Sequence, residues 1–180
     1  MHIKRFLIVL AMILTGSACL HAQDKKSDAE QLIGEWAVEK VETQLFAQQQ
    51  GNRLLETKTY TAAADMRNIN AFVPLNIRLH EQECTVETSA GTEKGRYLLK
   101  EHNILQYLQE DLQRQVQQQF QQQLSPEELT AMAGMECSYS LQGSGALVLK
   151  MPAVFYNDNN RNLAVKLVCT CYYRKKSTRQ

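Results

Sequence analysis

Few side chains in this sequence stand where bases or nucleophiles would work together. His80 lies beside Glu81 and His102 beside Glu101, both in charged segments, the usual setting of solvated polar residues. A base acting on a nucleophile needs a third group to orient it, and neither histidine has one nearby in sequence. Glu81, Glu83 and Glu87 suggest an acid/base set, but strand alternation sends Glu83 and Glu87 outward with Thr85. A glycine-rich phosphate loop, a Gly-x-Ser-x-Gly elbow and a His-Glu-x-x-His helix are all absent from the sequence. The expectation is a protein that is not an enzyme. The alternative is an enzyme whose site assembles from residues without a sequence signature.

The remaining reactive groups are thiols. Cys84, Cys137, Cys169 and Cys171 follow the N-terminal segment, an even number that suits disulfides in an oxidising compartment and allows three complete pairings. The competing reading makes them small buried hydrophobes, because each falls on the apolar face of a strand. The spacing Cys169-x-Cys171 is wrong for zinc, so no metal and no cofactor is expected.

Residues 1–22 have the three-part layout of a secretory signal: Lys4 and Arg5, an apolar run from Phe6 to Leu14, then small residues. The run is shorter than the roughly 20 apolar residues a membrane helix needs. Two processing schemes fit, cleavage before Gln23 or lipidation at Cys19, and Gly16 three places before that cysteine favours the first. Export to the periplasm or medium is expected, with membrane attachment only if Cys19 is lipidated. Without Lys4 and Arg5, 18 basic residues face 19 acidic ones, a net charge of −1, which gives no footprint for nucleic acid.

What must position any site is a chain of mostly short strands. Residues 23–30 are polar and read as a flexible leader; a single domain is expected over 31–176. Alternation places strands over 32–42, 54–61, 72–80, 83–87 and 95–100, with turns at Gly51-Asn52 and Ala90-Gly91. Ile104, Leu108, Leu112, Val116, Phe120 and Leu124 then recur at every fourth position, which predicts a glutamine-rich amphipathic helix over 103–124. Ser125-Pro126-Glu127-Glu128 has the pattern of a capped start for a second helix ending near Ala133. Strands return over 135–141, 146–151 and 163–174, with a turn at 143–145 and a polar loop around 157–160. The helical insertion, about 103–133, thus falls between the fifth and sixth strands. The basic tail Arg174-Lys175-Lys176 reads as a solvated end. About eight antiparallel strands leave two edges exposed unless the sheet closes, and an eight-stranded barrel closes them.

The segment Leu32-Ile33-Gly34-Glu35-Trp36 resembles the Leu-x-Gly-x-Trp opening of lipocalin-like proteins, at the position where that family carries it. The resemblance implies a mainly β, antiparallel lipocalin-like barrel with Trp36 plugging one end and Arg174 packed across the indole as a closure pair. The family's Thr-Asp-Tyr motif is missing, and its helix lies after the barrel, which leaves the strand order open.

The resemblance also implies a binding protein that holds a small apolar ligand in an interior lined by Trp36, Val38, Tyr97, Tyr139 and Tyr173. A second reading gives the helix over 103–124 a protein partner, with Leu108, Leu112, Val116 and Phe120 entering the partner's groove. Its counterpart is that this stripe covers the barrel.

Overall fold

The computed structural model describes residues 28–69, 72–120, 123–143 and 145–177. The expected signal, its cleavage points, Cys19 and most of the leader lie outside the described residues. The chain divides into two units, Met1–Leu32 and Ile33–Gln180. Of the first, residues 28–32 are described and are helical.

The second unit is built on ten antiparallel strands: β1 (Gly34–Ala47), β2 (Arg53–Tyr60), β3 (Asn76–His80), β4 (Glu83–Thr88), β5 (Gly91–Lys100), β6 (Ile104–Gln109), β7 (Gly134–Gln142), β8 (Ala146–Lys150), β9 (Val154–Asp158) and β10 (Leu163–Lys175). Eight of them, in the order β1-β3-β4-β5-β6-β7-β8-β10, form a barrel closed by pairing of β10 with β1. Each barrel strand meets the next along the chain, apart from the excursions that make β2 and β9. Full closure removes the free edges that a flat sheet of these strands would expose.

β1 and β10 run on past the barrel, and there they pair with β2 and β9 as a four-stranded extension, β2-β1-β10-β9. A bulge between Val38 and Lys40 marks the handover. The extra residue breaks the alternation, so that Trp36 and Val38 keep one register and Val41, Thr43 and Leu45 take up a new one. The extension therefore carries a buried row, Val41, Thr43, Leu45 and Ala47, continuous with Val165, Leu167, Cys169 and Cys171 of β10.

Three α-helices lie among the described residues of the unit: α1 (Ala63–Arg67), α2 (Glu110–Phe120) and α3 (Pro126–Ala133). α3 starts at the expected capping box, where the Ser125 side chain accepts from the Glu128 backbone N–H (3.3 Å) and the Glu128 carboxylate accepts from the Ser125 N–H (2.8 Å). α2 corrects the sequence reading. Residues 104–109 are strand β6, and the helix begins only at Glu110, after β6 and not after β5. The cause is burial on both faces: Leu105 and Tyr107 point into the barrel, while Gln106 and Leu108 on the other face are also buried. A strand covered on both sides shows no apolar/polar alternation, so the four-residue recurrence of Ile104, Leu108 and Leu112 ran unbroken across a strand and a helix. Two shorter differences concern strand bounds. Strand β3 covers only 76–80 of the expected 72–80, and the polar loop expected around 157–160 begins inside β9.

Candidate functional site

The barrel axis is lined by the alternation that the sequence displayed. Trp36 is 1% exposed and is paired with Ile77 of β3, an inward position. The cation above its ring is Lys175, with Nζ 5.3 Å from the centroid. Arg174, expected in that role, is exposed and instead places its Nε 2.8 Å from Glu39 Oε1. One residue of register separates the two, and in a strand that step turns the side chain to the other face. Tyr173 is buried and donates its hydroxyl to the Pro74 carbonyl (2.9 Å), tying the last strand to the segment that leads into β3. Tyr97 and Tyr139 are buried, and Val38, opposite Tyr173, is half-buried.

These side chains fill the centre. The space left between them is only about 30 Å³ and is bordered by residues such as Ile77, Leu79, Tyr97, Leu105 and Leu149. That is room for about one water-sized body. Of the five expected ligand-lining residues, Tyr97 alone borders it.

All four cysteines are free and buried, so the expected disulfides are absent. Cys84 and Cys137 border the small cavity. Their inward strand positions call for a compact apolar side chain, and a thiol serves as one. Burial pushes the thiols of Cys84, Cys137 and Cys171 up to about 12 and that of Cys169 to about 11.

A larger space lies at one mouth of the barrel. It measures about 300 Å³ and is bordered by Phe72, Glu93, Tyr107, Leu112 and Met135, with Gln109 and the end of α3. Phe72, Tyr107 and Met135 border the inner cavity as well, so three side chains form the partition between the two spaces. Each element contributes for a local reason. Glu93 is the cross-strand partner of inward-facing Val86, and cross-strand partners share a face. Tyr107 is held between Tyr97 on β5 and Met135 on β7. Gly95 lets β6 come close enough: a Cβ there would meet the Leu108 carbonyl oxygen and approach Tyr107 Cε2 to 2.7 Å. Leu112 arrives from the first turn of α2, 39% exposed.

Tyr107 is 6% exposed, and its buried hydroxyl makes no well-formed hydrogen bond among the described residues. Leaving such a group unsatisfied costs about 1 to 3 kcal/mol. Burial raises its pKa first; the Cys84 thiol, the Glu93 carboxylate, which also acts on the hydroxyl as an acceptor, and the Glu110 carboxylate add to the effect. The polar neighbours acting on this phenol are thus acidic ones.

A second cleft of about 240 Å³ sits on the extension, between Thr43, Glu56, Lys58, Tyr60, Tyr156 and Arg161. Its charges are mutually paired: Arg161 binds Asp158 (2.6 Å) and Glu56 (2.7 Å), and Glu56 also pairs with Lys58. His80 and His102 are exposed. His102, with φ 60°, makes the tight turn between β5 and β6 together with Asn103. Glu83 and Glu87 are exposed, as alternation predicted.

Glu93 and Phe72 carried no signal in sequence. Tyr107 was hidden inside the helical stripe, although Leu105-x-Tyr107 has the spacing of a strand face. No known protein family matches the chain, and no curated protein matches it either.

Proposed function

We infer that this chain is a lipocalin-like binding protein that receives a small apolar ligand at the mouth bordered by Phe72, Tyr107, Leu112 and Met135, without catalysis. The observation that carries the reading is the shared partition: the open cleft of about 300 Å³ and the inner cavity of about 30 Å³ have Phe72, Tyr107 and Met135 in common. Met135 is unbranched and adaptable, so a ligand in the cleft has a yielding wall ahead of it. The packed centre argues for a ligand seated at the mouth with only its tip beyond the partition. Support for the family comes from the sequential strand order closed by β10 on β1, and from a buried Trp36 under a cation. The glutamine-rich helix serves here as a wall. Leu108 belongs to β6, Val116 is buried, and Leu112 borders the cleft, which leaves little of the stripe for a protein partner. Export by the segment 1–22 belongs to the same proposal. It is checked by the intact mass of the mature protein, which begins at Gln23 if the chain is cut there and carries acyl mass on Cys19 if it is lipidated.

Titration with the neutral probe N-phenyl-1-naphthylamine tests the site. Saturable fluorescence enhancement is expected, weakened roughly tenfold by Leu112→Lys, which sets a charge in the apolar wall at an exposed helix position. Absence of enhancement, or full binding by the Leu112→Lys protein, would remove the reading.

A further inference from the structure

The mouth cleft has a chemical polarity that an apolar ligand alone does not use. Its buried phenol, Tyr107, has an unsatisfied hydroxyl at the partition, and Glu93 is half-buried on the same inward face. Glu110, the exposed first residue of α2, adds a negative charge that acts on both Tyr107 and Cys84. Among the described residues no cation pairs with Glu93 or Glu110; the ion pairs of the neighbouring strands and of α2 are made by other carboxylates, such as Glu136 with Lys100 and Asp111 with Arg114.

We propose that the ligand of this cleft is a cationic amphiphile, an apolar molecule ending in a protonated amine, whose ammonium sits between Tyr107 Oη and the Glu93 carboxylate while its apolar part lies against Phe72, Leu112 and Met135. An ammonium has three donors and no acceptor, so it can donate to the Tyr107 oxygen and to the Glu93 carboxylate together. In a cleft with apolar walls the attraction to a carboxylate is stronger than it would be in open water. A carboxylate head would meet Glu93 as a like charge. A hydroxyl head satisfies Tyr107 but leaves the acidic field unused. The inference rests on the mouth being the ligand site, and the experiment separates the two.

Octylamine, octanol and octanoate are made to compete with N-phenyl-1-naphthylamine on the purified protein at neutral pH and low salt, where the amine is charged and the acid ionised. Octylamine is expected to displace the probe at roughly one-tenth the concentration octanoate needs, with octanol between. Glu93→Gln is expected to bring amine and acid to within about twofold while octanol stays unchanged. Tyr107→Phe should weaken amine and alcohol together by roughly fivefold, the worth of one hydrogen bond. Raised salt should narrow the amine's advantage. If the probe binds and the three octyl compounds compete equally, or if Glu93→Gln keeps the preference, the cationic head is wrong and the binding site stands. If the probe does not bind, both fall.

Discussion

Tyr107 is a residue at which stability and binding pull in opposite directions. Its hydroxyl has left water and found no good partner, so Tyr107→Phe removes a cost along with a recognition group. The phenylalanine protein is expected to be as stable as the parent or more stable by up to about 1 kcal/mol, read from urea midpoints. A clear loss of stability would mean that the hydroxyl is satisfied in solution. The thiols offer a second check at this scale. With pKa values of about 11 to 12 in the fold, Cys84, Cys137, Cys169 and Cys171 are thiolate at pH 8 in no more than about one molecule in a thousand, and they are shielded besides. Iodoacetamide followed by peptide mass spectrometry should leave all four unmodified in native protein and label all four in denaturant. Labelling of Cys84 alone would show that the partition at the mouth opens.

The β5–β6 pair is the element on which the site depends. Its strands approach through Gly95, where an added methyl would press on the backbone of Leu108 and on the Tyr107 ring. Gly95→Ala is therefore expected to cost about 2 kcal/mol and to weaken probe binding, because neither neighbour can yield without shifting β6. The β9–β10 turn gives a prediction in pH. Arg161, hydrogen-bonded to Asp158, holds that carboxyl below its ordinary 3.8, and the backbone N–H groups of Asn160 and Arg161 add to the effect. Because the folded pKa is the lower one, the stabilisation is complete above 3.8 and is lost as pH falls through the folded value. Urea midpoints of Asp158→Asn should accordingly fall less steeply than those of the parent between about pH 4 and pH 2. What could be read in advance at this scale followed burial. Strands with one wet face, such as β4 with Cys84 and Val86 against Glu83 and Glu87, announced themselves, and so did the capping box of α3. β6 did not, since helices cover its outer side, and β9 was lost in a polar run that ends in an aspartate-closed turn. The site suffered for the same reason. Tyr107 lies on the unreadable strand, and Glu93 faces inward through a register that only pairing with Val86 determines.

At the scale of the molecule, one bond pattern joins everything: β10 lies against β1 along most of both strands and also pairs with β8 and β9. The single tryptophan sits at one end of this junction, at Trp36, under Lys175. Its emission should be that of a shielded indole, and its change in urea should coincide with the loss of far-ultraviolet circular dichroism, since closure and strand content are lost together. A fluorescence transition at lower urea would mean that the plugged end opens by itself. The same junction makes the chain's last strand the mate of its first. The ring cannot shut before the ribosome has released β10. Until residues 163–175 emerge, β1 and β8 each present a bare margin to whatever chaperone or neighbouring chain is at hand.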